Sequence, residues 1–324
     1  MKKIRWGIIG CGDVTERKSG PAFSKVLNSE LVAVMRRDAG LAKDYAARHK
    51  VPRWYTDADA LINDKEVNAV YVATPPSTHA EYAIRAMRAG KPVYVEKPMA
   101  ATYAECQQML QVSEETAVPL FVAYYRRSLP EFLAVKKVLD EGAIGRPLLI
   151  NIKLLRPALD NERAGDSWRV DPKVAGGGLF YDLASHQLDL VSFLFGSIVE
   201  ARGSSANFGG RYSAEDTVVA SFETESGVMG SAAWSFVAGD AAQEDSMELI
   251  GTKGKVVFSG FGHRPPTLFN EKGERILPFT NPENIQYYLI EQVVQTLLGK
   301  GSCVSMGASA AETNRVMEKI LGRK

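Results

Sequence analysis

Segment 176–189 carries residues suited to proton transfer. Asp182 and His186 stand four residues apart, shortly after the glycine triplet Gly176–Gly178. On a helix this spacing places a carboxylate and an imidazole on one face. An imidazole titrates near neutrality, and Asp182 would orient it or bind a substrate hydroxyl. The glycines indicate a point where the backbone must approach something closely.

Lys97 is a second candidate for proton transfer. It lies in the sequence Glu96-Lys97-Pro98, after an apolar run that ends a predicted parallel strand. Open α/β sheets bind their ligands at such strand ends. Hydride transfer to or from a carbonyl carbon requires a proton at the oxygen, which Lys97 or His186 could exchange. The competing interpretations are a salt bridge for Lys97 and a surface pair for Asp182 with His186.

A turn between the first strand and the first helix predicts a nucleotide site. Gly10 and Gly12 fill the first two positions of a dinucleotide fingerprint, and Thr15 occupies the third. Glycine permits a tight turn and lets a pyrophosphate approach backbone N–H groups. We expect Gly10, Gly12, Asp13 and Val14 to contact the cofactor. The alternative is an ordinary strand-to-helix turn.

The end of the second strand bears on the choice between NAD and NADP. An acidic residue there binds the ribose 2′-OH, whereas Arg accommodates a 2′-phosphate. Arg36 and Arg37 follow Met35 at this point, which favours NADP as the cofactor. Asp38 keeps NAD possible, and a solvated arginine pair is the alternative.

Two further groups of residues are candidate ligand contacts. After the fourth strand, a proline-stiffened turn leads into a helix and would pack along the nicotinamide ribose and diphosphate. For its histidine, helix capping or solvent exposure is the competing interpretation. The cofactor candidates here are Thr74, Pro75, His79, Glu96 and Lys97. The substrate candidates are Lys97, Arg126, Trp168, Arg169, Asp182 and His186, whereas Asp189 is expected to be a structural partner.

The secondary-structure elements that must position these residues follow two different patterns along the chain. Residues 1–123 alternate short apolar strands with amphipathic helices, which predicts a doubly wound parallel sheet, an NAD(P)-binding Rossmann domain. Its predicted strands are Ile4–Ile9, Leu31–Met35, Arg53–Tyr55, Ala69–Ala73, Val93–Glu96 and Leu120–Ala123. Its helices include Thr78–Ala89 and Thr102–Glu115, the latter opening with capping-box spacing between Thr102 and Glu105.

From Pro147 onward, alternating strands are joined by short turns, which predicts a C-terminal α+β domain with a large, mostly antiparallel open sheet. We expect residues 124–324 to bind substrate and form oligomers, and a C-terminal helix at about 305–324 to pack back on the Rossmann domain. The predicted hairpins pair Asp216–Glu223 with Val228–Ser235, Ser246–Ile250 with Lys255–Phe258, and Thr267–Asn270 with Arg275–Pro278. The closing helices are expected at Pro282–Leu298 and Gly307–Leu321.

The composition indicates which kinds of molecule the protein binds. The 324 residues include 39 Lys plus Arg against 38 Asp plus Glu, so a net charge of +1 provides no field to attract nucleic acid or an acidic membrane. The three cysteines are scattered, which argues against a disulfide framework or a structural metal. The N-terminus lacks a signal-peptide pattern, and no run is long enough to cross a bilayer. We expect a soluble, cytoplasmic protein with a small-molecule partner.

Several motifs occur in an order that is typical of one enzyme family. They are Gly10-Cys11-Gly12, Glu96-Lys97-Pro98, Gly176–Gly178 with Asp182, His186 and Asp189, and Gly251-Thr252-Lys253-Gly254. On these motifs the chain resembles the Gfo/Idh/MocA oxidoreductases over nearly its whole length. The pattern departs from the family at Thr15 and at Tyr125-Arg126-Arg127, where an Asn-Arg pair is common.

The resemblance implies an NAD(P)-dependent dehydrogenase or reductase acting on CH-OH groups of sugars, cyclitols or related diols. It also implies Lys97, Asp182 and His186 as the catalytic trio, and a homodimer or homotetramer formed through the C-terminal sheet. The Arg36-Arg37 pair resembles NADP-using members of the family. Two other functions stay open: a redox-silent NAD(P)-binding sensor or scaffold, and an NAD-dependent glycosidase.

Overall fold

The computed structural model describes residues 2–163, 167–262 and 264–323. The chain divides into two compact units. Unit 1 is Met1–Tyr125 with Pro282–Ala311, and unit 2 is Arg126–Asn281 with Glu312–Lys324. Unit 1 therefore includes a segment from near the C-terminus as well as the N-terminal region.

Unit 1 is built on a six-stranded parallel sheet with the strand order β3-β2-β1-β4-β5-β6. The order reverses between β1 and β4, which places a ligand crevice at the carboxyl ends of those strands. This confirms the predicted doubly wound sheet. The strands are β1 Ile4–Ile9, β2 Ser29–Met35, β3 Arg53–Tyr55, β4 Ala69–Val72, β5 Val93–Val95 and β6 Leu120–Val122.

Apolar side chains of the strands and of several helices form a core cluster, which includes Ile9, Val70 and Ala310. The longest N-terminal helix opens with the predicted capping box, in which the side chains of Thr102 and Glu105 each accept a bond from the other's backbone N–H. The first six helices are α1 Asp13–Arg17, α2 Ala22–Lys25, α3 Ala39–Arg48, α4 Ala58–Ile62, α5 His79–Arg88 and α6 Tyr103–Thr116.

Unit 2 is built on an eight-stranded sheet with the order β14-β13-β12-β11-β7-β10-β9-β8. Its neighbouring strands are antiparallel except for the pair β7 and β10, which confirms the mostly antiparallel open sheet. All three predicted hairpins are present, but the second strand of the last one is Gly273–Ile276 rather than Arg275–Pro278, because Asn270 pairs with Gly273 across a two-residue turn. The strands are β7 Pro147–Leu155, β8 Ile198–Ala206, β9 Thr217–Thr224, β10 Met229–Ser235, β11 Glu244–Gly251, β12 Gly254–Phe258, β13 Thr267–Asn270 and β14 Gly273–Ile276.

The two faces of this sheet differ because the side chains of each strand alternate between them. Along β7, Ile152 and Leu154 are buried, whereas Asn151 is half-buried and Lys153 is exposed. Helical segments of unit 2 contact this sheet through aromatic residues, as Phe132 does with Phe258 and Phe180 with Trp234. The helical segments of unit 2 include α7 Pro130–Asp140, α8 Asp160–Arg163, α9 Pro172–Ala175, a π-helix at Phe180–Ala184, and α10 Ser185–Phe195.

Two helices close the chain, as predicted. They are α11 Tyr287–Leu297 and α12 Gly307–Ile320. The predicted start of α11 at Pro282 was five residues early, because the chain from 282 to 286 is not helical and Gln286 occupies the N-cap position. Within the described ranges, no helix combines the length and apolar content that a bilayer-spanning helix needs.

Candidate active site

The turn after β1 depends on glycine at its first position. Gly10 has φ +90°, and a Cβ added there would lie 2.9 Å from the backbone N of Thr74, which follows β4. The N–H groups of Gly10 and Cys11 both donate to Met35 O, at 2.9 and 3.2 Å. Gly10 is therefore required by the close approach of the chain segments that follow β1 and β4.

Gly12 has a different reason to be glycine. Its backbone is extended, and an added Cβ would meet only Gly10 O, at 3.8 Å. No contact among the described residues therefore requires glycine there, and the open space precedes α1, whose first residues are Asp13 and Val14. A pyrophosphate that binds backbone N–H groups needs such a space, so the turn fits the expected nucleotide.

Thr15 replaces the third fingerprint glycine without loss of packing. Its side chain is fully buried, and Oγ1 donates to Gly12 O at 2.7 Å. The backbone makes room at Gly20, where an added Cβ would lie 2.1 Å from Thr15 O. This close approach involves the backbone of Thr15, so it requires glycine at residue 20 whatever the side chain at residue 15.

Gly12→Ala tests whether the open space at Gly12 binds the pyrophosphate. We expect the dissociation constant for the dinucleotide to rise at least about tenfold, because the added methyl fills the space that the pyrophosphate needs. The melting temperature should stay near the wild-type value, since the methyl meets no protein atom closer than 3.8 Å. Gly239→Ala is the matched control, because a Cβ there has nothing within 4 Å. Fluorescence titration measures the dissociation constant, and thermal melts measure the melting temperature. Equal affinity in Gly12→Ala and Gly239→Ala would contradict a pyrophosphate site at Gly12.

Arg36 lies against the glycine turn. Its Nη1 donates to Cys11 O at 3.3 Å, and the side chain is half-buried, whereas Arg37 is exposed. Asp38 has a separate task, because its Oδ1 accepts from Leu41 N at 2.9 Å and caps α3. The structure thus places one of the two predicted arginines at the turn.

His79 is neither exposed nor a helix cap. It is fully buried, and its ring nitrogens Nδ1 and Nε2 hydrogen-bond to the carbonyl oxygens of Pro98 and Thr74 at 3.0 and 2.7 Å. Burial lowers the pKa of His79, while these backbone contacts oppose that shift. His79 therefore joins the turn after β4 to the turn after β5. This position supports a role in holding both turns rather than direct contact with a ligand.

Glu96 is directed into the interior of unit 1. It is 6% exposed, and its Oε1 accepts from Tyr71 OH at 2.5 Å and from Gln286 Nε2 at 2.6 Å, while Oε2 accepts from Lys97 N at 3.2 Å. Tyr94 OH donates to Gln286 Oε1 at 2.8 Å. Burial raises the pKa of both tyrosines well above its usual range, so both stay neutral donors. This network fixes the backbone at Lys97, whose side chain is half-buried.

The segment around His186 departs from one regular helix. Asp182 lies in the π-helix and His186 in the first turn of α10, so the turn between them is wider than an α-helical one. The pair therefore spans a π-helical turn rather than a regular α-helical one, and the shared face stays a prediction. His186 itself is 3% exposed.

The glycine triplet is explained by packing within unit 2. A Cβ at Gly177 would lie 2.1 Å from the Tyr181 ring, and a Cβ at Gly178, which has φ +63°, would lie 2.5 Å from Ala214 Cβ. The sequence reasoning expected a close approach here, and the partners are side chains of the same unit. The triplet by itself is thus no sign of a ligand.

Three candidate substrate residues lie together. Arg169 Nε is 3.3 Å from Asp182 Oδ2, and the Arg169 guanidinium lies 4.7 Å from the centroid of the Trp168 ring. The Asp182 side chain is 19% exposed. A partly exposed carboxylate held by an arginine can accept a hydrogen bond from a hydroxyl group.

Arg126 is buried, and both Arg126 and His186 contact the same aromatic residue, Phe261. Arg126 Nε donates to Gly260 O at 3.0 Å, and its guanidinium lies 4.4 Å from the centroid of Phe261. The Phe261 ring in turn meets the His186 ring at 6.0 Å between centroids and an interplanar angle of 74°. Phe261 was missed by the sequence reasoning, because no local motif marks it.

Comparisons with known proteins agree with this architecture. Residues 4–124 match the family model described as the oxidoreductase family with an NAD-binding Rossmann fold, and residues 132–257 match the GFO/IDH/MocA C-terminal domain. The chain is 38% identical to Oxidoreductase P35 of Formosa agariphila over 99% of both chains. It is 29% identical to the 1,5-anhydro-D-fructose reductase of Ensifer adhaerens, over 94% of this chain and 91% of that one.

A solved structure shows the same fold. The oxidoreductase domain protein from Kribbella flavida superposes with a TM-score of 0.88 at 23% identity, covering 98% of this chain and 96% of that one. The matched regions contain both glycines of the nucleotide turn, Lys97 and His186. The chain belongs to the Gfo/Idh/MocA family of NAD(P)-dependent oxidoreductases, whose N-terminal domain is an NAD-binding Rossmann fold.

Proposed function

We propose that this enzyme transfers a hydride between NADP and a carbon that bears a hydroxyl or carbonyl group on a sugar, cyclitol or related diol. The observation that carries the proposal is the placement of Lys97 two residues after the end of β5, with its backbone held by the buried Glu96 carboxylate. The glycine turn after β1 lies at the same carboxyl edge of the parallel sheet, where ligands of such sheets bind. The sugar reductase among its relatives supports the substrate class.

Each residue of the site has a distinct proposed role. A nicotinamide bound at this edge supplies or accepts the hydride. Lys97 or His186 exchanges the hydroxyl proton, and Asp182, held by Arg169, orients the reacting hydroxyl. Gly10 and Gly12 admit the pyrophosphate, and Thr74, Pro75 and His79 shape the turn beside it. We also propose residues 1–123 as the NAD(P)-binding domain and 124–324 as the substrate-binding domain.

A two-step assay tests the proposal. NADPH fluorescence on mixing reports binding, and loss of NADPH absorbance on adding a panel of keto-sugars reports turnover. We expect both signals. Binding without turnover on any panel member would favour the redox-silent sensor.

The NADP preference rests on Arg36. Its guanidinium lies at the glycine turn, and Asp38, the acidic residue that could bind a ribose hydroxyl, already caps α3. A guanidinium stabilises a phosphate through charge-assisted hydrogen bonds. The proposal therefore assigns the 2′-phosphate to Arg36, with Arg37 adjacent.

Arg36→Ala should weaken NADP binding by about 10- to 100-fold, the range expected for one lost charge-assisted contact, and leave NAD binding nearly unchanged. Titrations with both nucleotides give the ratio. Arg88→Ala, at an exposed arginine that ends α5, controls for the change in net charge. Equal losses for the two nucleotides would show that Arg36 does not contact the 2′-phosphate.

We further propose a homodimer or homotetramer formed through the open face of the unit 2 sheet. That face has a shallow depression of about 660 Å³, lined mainly by polar and small residues of β7 and β9–β12. Lys255 Nζ donates to Glu248 Oε1 at 2.7 Å, and Ser231 Oγ donates to Asn151 Oδ1 at 2.8 Å, so the polar groups are already arranged in pairs. Light scattering after size-exclusion chromatography should give a mass of two or four chains; a monomer mass would contradict the proposal.

A further inference from the structure

The turn that follows β12, residues 259–262, is built by one carboxylate. Asp245 on β11 accepts at Oδ1 from Gly260 N at 2.8 Å, and at Oδ2 from Phe261 N and Gly262 N, both at 2.7 Å. Ser259 Oγ donates to the same Oδ2 at 2.8 Å. A carboxylate that accepts this many charge-assisted bonds holds the turn in one conformation.

The turn lies against the start of α10. Gly260 packs closely on Gln187, since an added Cβ would lie 2.9 Å from Gln187 Nε2. Gln187 is itself held, because Trp234 Nε1 donates to its Oε1 at 2.7 Å. The turn is thus fixed beside the residue that directly follows His186.

Phe261 is the aromatic residue that this turn presents. Arg126 lies over the ring at 4.4 Å, a cation–π contact, while the His186 ring meets it edge to face at 6.0 Å. Phe261 is nevertheless only half-buried, so part of the ring is accessible. An accessible apolar ring beside the imidazole suits the C–H face of a pyranose or cyclitol, whose hydroxyls project from the ring perimeter.

We propose that Phe261 determines specificity by binding the C–H face of a cyclic polyol beside His186, and that Asp245 is the positioning residue that holds Phe261 there. The inference rests on the proposed function, which places substrate at His186. It adds a preference for ring substrates over open-chain polyols, since an open chain presents no continuous C–H face.

Phe261→Ala tests this preference. We expect KM for a cyclic polyol or pyranose to rise at least about tenfold, with kcat within about threefold of wild type, because the lost contact concerns binding rather than proton transfer. KM for an open-chain alditol should change little. The matched control is Phe208→Ala, which removes a phenylalanine of unit 2 that is 76% exposed. An unchanged KM for ring substrates in Phe261→Ala would overturn the proposal.

Asp245→Asn tests the positioning role. It should raise KM for ring substrates as Phe261→Ala does, and shift the His186 ring-proton resonances, because the Phe261 ring current at His186 changes. The chain has four histidines, so His186→Asn assigns the signal. A wild-type KM together with unshifted His186 resonances would overturn the role of Asp245.

Calorimetry separates failure of this inference from failure of the proposed function. It measures binding of a cyclic polyol to the NADPH complex of the wild type and of Phe261→Ala, because a reduced nicotinamide cannot accept a hydride from the polyol and no turnover occurs. Binding that weakens in the variant supports the inference even if no substrate is turned over. Equal binding, or none in either protein, overturns it.

Discussion

Lys97→Met should lower kcat at least about 10²-fold, the effect expected when a general acid–base group is lost. Methionine retains an unbranched apolar side chain and removes the ammonium. The backbone bond from Lys97 N to Glu96 Oε2 does not involve the replaced side chain, so the turn after β5 should persist. The dissociation constant for NADPH should therefore stay within a few-fold of wild type. Steady-state kinetics and fluorescence titration measure the two quantities.

A matched control is available in the same unit. Lys91 is a half-buried lysine, and its Nζ donates to Asp64 O at 2.7 Å. Lys91→Met removes an ammonium with a structural contact, and its kcat should stay near the wild-type value. Near-normal turnover in Lys97→Met would reject Lys97 as a proton carrier.

The pH–rate profile decides between the two candidate carriers. Replacing the residue that exchanges the proton should remove the limb of the profile that this residue produces, whereas replacing an orienting residue should lower the rate and keep the limb. His186→Asn is the partner variant for this comparison. A limb that survives in both variants would assign the proton transfer to another group.

Arg127→Leu should destabilise the protein by about 3–5 kcal/mol, the cost expected when one partner of a buried ion pair is removed. Arg127 Nε and Nη2 donate to the two carboxylate oxygens of Asp189 at 2.9 and 2.7 Å, and both side chains are at most 6% exposed. The variant leaves the Asp189 carboxylate buried without this partner. Urea unfolding measures the loss. Lys136→Leu, at the exposed pair with Asp140, should change stability little.

The loss should depend on pH. Burial raises the pKa of Asp189, and the charge and hydrogen bonds of Arg127 oppose that shift. Without Arg127 the folded-state pKa rises further above the unfolded value, so between those values the folded state binds more protons than the unfolded state. Stability of the variant therefore falls as pH rises through that interval. A loss that is independent of pH would show that Asp189 is not the group left uncompensated.

A double variant, Arg127→Leu with Asp189→Leu, separates the pair from its surroundings. It should recover much of the lost stability, because no buried charge remains. If the double variant is as unstable as Arg127→Leu, packing rather than charge is the cause.

Much of the site was predictable because its signals are local. Gly10 and Gly12 between a strand and a helix, and Lys97 directly after an apolar strand, are recognisable from their immediate neighbours. The environments of these residues were not predictable in the same way. The sequence left Glu96 as a candidate cofactor contact, whereas its carboxylate is bound by Gln286, 190 residues away.

The sequence by itself determined the six parallel strands, the three hairpins of the antiparallel sheet and the order of the motifs, because side-chain periodicity, turn residues and caps act over a few residues. Only the tertiary structure decided that His79 is buried between two carbonyl groups, that Gly177 packs on Tyr181, and that Phe261 meets His186. Those contacts depend on side-chain packing and on segments brought together by the chain path, which no local pattern encodes.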